Sequence, residues 1–220
     1  MSAELKKRII TSFLLVSLLT LMFLYTYILI ISLIIIGVIS WIEFHSLISK
    51  ILRKTNKIQK LLKFFLKIIS LTYITLLIYL IVAIQSKNPE LYIFIVFSIS
   101  IAIMSDVGGL IIGNIFKGKK LSKISPKKTI SGSLGSFIFS LLLIPIFVNH
   151  LPYSNIIFLI IITLFISLIS QLGDLFISFL KRKASVKNTS DLLPGHGGVL
   201  DRIDGIIFAI PIGFLLLNYL

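Results

Sequence analysis

The sequence predicts an all-α fold, a polytopic membrane helical bundle of about seven transmembrane helices, and three observations predict it. Mean hydropathy is +1.07, far above that of a domain with a polar exterior. Hydrophobic residues make up 57% of the 220 residues and charged ones only 14%, too few to coat a soluble surface. Apolar runs recur along the chain at lengths near the roughly 20 residues a helix needs to cross a bilayer. The length leaves no room for these spans plus a soluble domain of ordinary size. With no cysteine, disulfides, thiolate zinc sites and cysteine nucleophiles are excluded.

Taken in order, the spans are expected at Ile9 to Leu24, Tyr27 to Ile42, Ile68 to Ile84, Leu91 to Phe116, Ile130 to Val148, Ile156 to Leu180 and Ile203 to Leu220. Lys6, Lys7 and Arg8 precede the first without a small-residue cleavage site after it, the pattern of a span rather than a removed signal. Only Tyr25, Thr26 and Tyr27 separate the first two. With a cytoplasmic N-terminus, 21 of the 22 lysines and arginines fall on one side, and Lys87 alone falls on the other. Positive-inside asymmetry and attraction to anionic headgroups therefore explain the net charge of +14. No nucleic-acid partner is needed.

Eight acidic residues are present, and a carboxylate within or beside an apolar span is costly to desolvate, so each demands a role. Asp174 stands about 10 Å below the basic boundary if the sixth span is helical, with Ser178 at i+4 and Lys181 and Arg182 at i+7 and i+8. It is either a site residue or a carboxylate snorkelling toward its own Lys181 or Arg182. Asp201 and Asp204, at i and i+3, follow Pro194-Gly195-His196-Gly197-Gly198 and flank Arg202. Carboxylates with phosphate oxygens and water suit magnesium, while helix capping is the plainer reading for one of them. Gly197 and Gly198 permit close approach by a bulky anion. His196 either donates to a phosphate or braces the glycine loop.

Earlier, Asp106 lies in an apolar span beside Gly108 and Gly109. A basic loop then leads into Ser125-Pro126-Lys127-Lys128-Thr129 and the small residues Gly132, Ser133, Gly135 and Ser136. Lysines and hydroxyls before a helix start can hold phosphate. The small residues serve equally well for helix packing. Residues 1–100 are expected to supply generic spans and 101–220 the catalytic region.

From Leu172-Gly173-Asp174-Leu175 through Ser178, Lys181-Arg182 and Lys187-Asn188 to Pro194-Gly195-His196-Gly197-Gly198-Val199-Leu200-Asp201-Arg202-Ile203-Asp204, the chain closely resembles the signature of bacterial phosphatidate cytidylyltransferases. Asp106 with its glycines, and Ser125 to Thr129 with Gly132, resemble a second, looser block of that family. Asn188 stands where the family usually has aspartate, Ser131 where it has glutamate or glutamine, and Ser136 where it has glycine. Position 188 therefore offers no carboxylate.

The resemblance implies joining of CTP to phosphatidate at the cytosolic face of a bacterial inner membrane. It also implies a two-metal site at Asp174, Ser178, Asp201 and Asp204, with Mg2+ and, as candidate second ion, K+. Lys181, Arg182, Lys187 and Arg202 are expected on phosphates by charge and position. Asp106, Ser125, Lys127, Lys128, His196, Gly197 and Gly198 are expected to bind substrate. The lipid bilayer is the expected surrounding partner, and a homodimer is allowed. A cytidylyltransferase for another lipid phosphate is the alternative within the class, and a cation-coupled transporter the alternative outside it, although no inverted repeat is visible.

Tags at the N-terminus and between Lys50 and Lys60 are expected to be cytoplasmic, and a C-terminal tag is expected on the opposite side. Protease or thiol-probe accessibility in inverted and right-side-out vesicles reads this, and a cytoplasmic C-terminus would mean that the spans are miscounted.

Overall fold

A computed structural model describes residues 3–53, 56–122, 124–125, 128–153 and 155–219, with the side chains of 3–8 left aside. The described residues are largely helical, and their only β pairings are the isolated bridges Lys120 to Thr129 and Leu193 to Gly197. Among the described residues, five helical stretches are long and apolar enough to cross a membrane, with Ile130–Phe147 counted as one, and Ile9–Leu24 forms a shorter apolar one. The chain divides into two compact units, one of residues 1–82 and 180–203, the other of residues 83–179 and 204–220.

The first unit contains α1 (Ala3–Leu24), α2 (Thr26–Ile51) and most of α3 (Lys57–Lys87). Tyr25 is the whole connection between α1 and α2, and its extended backbone (φ −129°, ψ 112°) breaks the helix without a side-chain cap. Helix α2 runs nine residues past the predicted end at Ile42, and α3 begins eleven before Ile68. The reason is chemical: Lys57, Lys60, Lys63 and Lys67 recur at three- and four-residue spacing, which suits one face of a helix leaving the apolar slab. Lys67 joins the two helices. Its carbonyl accepts from Trp41 Nε1 at 3.2 Å and its ammonium lies 4.9 Å from the indole centroid.

The second unit is built on α4 (Tyr92–Phe116), α5 (Ile130–Leu141), the short α6 (Ile144–Phe147), α7 (Ile156–Lys183, whose last turn belongs to the first unit) and α9 (Ile206–Tyr219); the four-residue α8 (Leu200–Ile203) precedes α9. One predicted span, Ile130 to Val148, is two helices, with Leu142 and Leu143 between them and Pro145 in the first turn of α6. Another is short: α9 has 14 residues, about 21 Å of rise against a hydrocarbon core near 30 Å. It starts at Ile206 because Asp204 and Gly205 form a turn after α8.

Helices α4 and α5 meet backbone to backbone. A Cβ on Gly132 would stand 2.8 Å from the carbonyl oxygen of Gly109, and one on Gly135 would stand 2.7 Å from that of Gly108 and overlap Ile112. The Ser136 hydroxyl donates to the Ser105 carbonyl at 2.7 Å across the same seam. Where lipid is as apolar as the side chains, this close approach with interhelical hydrogen bonding drives association. Gly135→Val is expected to destabilise the second unit by about 1–3 kcal/mol through overpacking, read as a lowered unfolding midpoint in detergent; an unchanged midpoint would show that the seam is loose.

Candidate active site

The basic loop ahead of α5 is held as a short return. Leu121 N–H donates to Lys128 O at 2.8 Å, Ile130 N–H to Lys119 O at 3.0 Å and Lys128 N–H to Ser125 O at 3.1 Å. Thr129 caps α5, its hydroxyl accepting from Gly132 N–H at 3.0 Å. The return delivers the Lys128 ammonium to the Asp174 carboxylate in a salt bridge, and the Ser178 hydroxyl, one turn along α7, donates to Asp174 at 3.2 Å. Asp174 therefore does not snorkel to Lys181, which bonds elsewhere.

Asp204 lies against the same part of α7. A Cβ on Gly173 would come within 2.8 Å of the Asp204 carbonyl oxygen, and one on Gly205 within 2.5 Å of the Ser170 hydroxyl. The Asp204 carboxylate is buried and accepts Gly205 N–H at 2.9 Å. The glycines at 173 and 205 are thus what lets the start of α9 lie on α7. The second unit thereby gathers Lys128, Asp174, Ser178 and Asp204.

In the first unit the glycine loop and α8 carry a second polar cluster. Asp201 has both carboxylate oxygens engaged: Oδ1 accepts from Lys181 Nζ at 2.6 Å, and Oδ2 accepts from the N–H groups of Thr189 at 2.8 Å and Gly198 at 3.0 Å. Burial pushes the Asp201 carboxyl up, but the Lys181 hydrogen bond, those two N–H groups and the Lys181 charge outweigh it and hold the group below its ordinary value of 3.8. Gly197 has φ +85°, a conformation that a side chain strains, and a Cβ there would stand 3.0 Å from Asp201. Asp201 thus reaches back to the loop that precedes α8, through N–H groups of Thr189 and Gly198.

Glu43 on α2 was absent from the sequence-predicted site. Its side chain is only 4% exposed and accepts from the Ser190 hydroxyl at 2.5 Å, the Thr189 hydroxyl at 2.7 Å, Leu200 N–H at 2.8 Å and Val199 N–H at 3.1 Å. A Cβ on Gly198 would stand 2.6 Å from this carboxylate, so the protein itself uses the space at Gly198. The signal was a carboxylate at the edge of an apolar span, but nothing in the sequence says which loop would answer it.

The Cytidylyltransferase family model matches residues 2–220. The chain belongs to the cytidylyltransferase family. It is 46% identical over 123 residues to the phosphatidate cytidylyltransferase of Rickettsia prowazekii (strain Madrid E), covering 52% of this chain and 54% of that protein. It is 43% identical over 159 residues to that of Rickettsia typhi (strain ATCC VR-144 / Wilmington), covering 67% and 66%. It is 40% identical over 139 residues to that of Bacillus subtilis (strain 168), covering 61% and 51%. The chain spans about half the length of the first and last of these curated relatives.

In this cytidylyltransferase-family chain the remaining predicted site residues are distributed less tightly. His196 braces the loop: its Nε2 lies 3.3 Å from the Ser12 hydroxyl and its carbonyl accepts from Arg202 at 2.9 Å. Asn188 Nδ2 lies 3.4 Å from the Asp191 carboxylate. Asp106, Arg182 and Lys187 are exposed, Ser125 helps to fix the basic loop, and Lys127 lies outside the described residues. In neither unit do three acidic or histidine side chains converge as a metal cluster, among the described residues.

The Asp201 pair makes stability depend on pH. A carboxyl held below its ordinary value contributes stability that is full above about pH 4 and lost as pH falls through the lower folded value. Lys181→Met strands a buried carboxylate and is expected to cost roughly 3 kcal/mol near neutrality. The gap from wild type should shrink below about pH 4, because protonation then relieves the variant while it costs the wild type. Unfolding midpoints across a pH series read this, and a gap constant with pH would refute it.

Proposed function

We propose that the chain is a phosphatidate cytidylyltransferase. A phosphate oxygen of phosphatidate attacks the α-phosphorus of CTP, a P–O bond forms there, and the bond to the β-phosphate oxygen breaks. The electron pair leaves on pyrophosphate, and CDP-diacylglycerol is the product. One observation supports this most: in a chain of this family, the Lys128 ammonium, the Asp174 carboxylate and the Ser178 hydroxyl meet on α7 beside Asp204. The relatives carry the same activity in their names. A transporter has no support from the family match.

The nucleophile is already anionic near neutral pH, so alignment and charge neutralisation matter more than a general base. Lys128, with Lys181, Arg182, Lys187 and Arg202, would bind and orient the phosphates of both substrates. His196, Gly197 and Gly198 would shape the loop beside them. The donor chemistry fits Mg2+: carboxylate and hydroxyl oxygens at Asp174 and Ser178 are hard ligands, and the Lys128 ammonium against Asp174 marks a place that already holds positive charge. Asp174, Ser178, Asp201 and Asp204 would hold the metal, with K+ as candidate second ion. When bound it neutralises charge on the leaving pyrophosphate. CTP is soluble and phosphatidate has its tails in lipid, which favours a site at the cytosolic face of the inner membrane.

Purified chain with labelled CTP and a panel of lipid phosphates should form CDP-diacylglycerol from phosphatidate. Asp174→Asn and Asp204→Asn should each lower turnover at least about a hundredfold, or about 2.7 kcal/mol in barrier, while remaining extractable as folded protein. Product from a different lipid phosphate would redirect the substrate, and near-normal turnover in both variants would remove these carboxylates from the site.

A further inference from the structure

Glu43 is a buried carboxylate that the proposed chemistry leaves unused. It is buried on α2, a helix long and apolar enough to cross a membrane, no lysine or arginine among the described residues pairs with it, and its partners all belong to the segment from Thr189 to Leu200. Each of its oxygens accepts one hydroxyl and one backbone N–H. Oε1 takes Ser190 Oγ and Val199 N, and Oε2 takes Thr189 Oγ1 and Leu200 N. A side chain that only satisfied its own burial could use any donors. This one fastens both ends of a single loop, the strand of chain after Asn188 and the first residues of α8.

Thr189 links this carboxylate to the next. Its backbone N–H goes to Asp201 Oδ2 at 2.8 Å, and its hydroxyl lies 2.7 Å from Glu43 Oε2 and 3.0 Å from Asp201 Oδ2. One hydroxyl has one proton to give. Asp201 Oδ2 already accepts two backbone N–H groups, so the proton belongs to Glu43, the shorter contact, which otherwise has one donor on that oxygen. Thr189 thus gives its amide to one carboxylate and its hydroxyl to the other, fixing the separation between α2 and Asp201. Gly198 has no side chain because Thr189 and Glu43 fill the place a Cβ would take.

We propose that Glu43, acting through Thr189, is a positioning residue that sets the Asp201–Lys181 pair for cytidylyl transfer. This rests on the activity proposed above and touches neither substrate. An amide cannot replace the carboxylate: after Glu43→Gln, whichever way the side-chain amide turns, its NH2 faces a backbone N–H that cannot become an acceptor, although the hydroxyls can rotate.

The test uses the full chain in detergent or nanodiscs, assayed with CTP and phosphatidate. Thr189→Val removes only the hydroxyl and should lower kcat at least tenfold with KM for CTP changed less than about threefold. Thr189→Ser should keep at least half of wild-type turnover. Glu43→Gln should lower kcat at least as far as Thr189→Val, and the double variant should be no worse than Glu43→Gln alone, because both break one link. Amide hydrogen exchange over residues 189–200 reads the link apart from turnover and should quicken at least tenfold in Glu43→Gln, with α4 and α5 unchanged. Wild-type chain that exchanges as expected yet makes no product would count against the activity. Active wild type with Thr189→Val within twofold of it, Thr189→Ser as impaired as Thr189→Val, additive losses in the double variant, or unaltered exchange in Glu43→Gln would each overturn the positioning role.

Discussion

A carboxylate taken out of water must be met by donors, and in this chain that constraint organises the polar loop around two of them. Glu43 and Asp201 between them engage Lys181, Thr189, Ser190, Gly198, Val199 and Leu200. An unpaired buried charge costs several kcal/mol, so the loop has one arrangement that satisfies both groups and many that strand one of them. The loop is irregular backbone between helices, where unsatisfied N–H groups are also costly. Carboxylates and amides therefore solve each other's problem. The glycines at 197 and 198 are the local condition for it, one by its left-handed backbone and the other by leaving room for Glu43.

The second unit obeys a different economy. Apolar side chains gain little by leaving lipid for one another, so α4, α5, α7 and α9 associate through small residues and internal hydrogen bonds. Gly108, Gly109, Gly132 and Gly135 bring two backbones together, and Gly213 on α9 leaves room for the Ser98 side chain of α4. Ser133 donates to Gln171 at 2.6 Å between α5 and α7. This frame holds the return that presents Lys128 to Asp174. A rigid seam behind a charged side chain helps to keep that charge in place.

Family membership and geometry bear on different parts of the molecule. The family model covers nearly the whole chain, yet the residues that carry charge chemistry sit in two short stretches and one basic loop. Glu43 lies in the half whose sequence reads as generic spans, and the structure ties it to the glycine loop through four hydrogen bonds. Membrane helices outside the signature therefore contribute more than anchorage.

The sequence by itself determined the all-α membrane class and most of the helices, and it singled out Asp174, Ser178, Lys181, Asp201 and Asp204 as candidate site residues. Hydropathy and charge are local properties, and burial in lipid makes them decisive. It left open how far α2 and α3 run beyond their apolar spans, because basic helical turns leave the slab without breaking, and it did not show the break between α5 and α6 within the span that starts at Ile130. The tertiary structure alone decided which cation meets which carboxylate. Lys128 reaches Asp174 from the basic loop, and Lys181, nearer to Asp174 in sequence, goes to Asp201 across twenty residues. It alone made Glu43 a brace, since its partners are 146 to 157 positions away. Pairings at such separations are set by which helices pack together, and no local pattern encodes that.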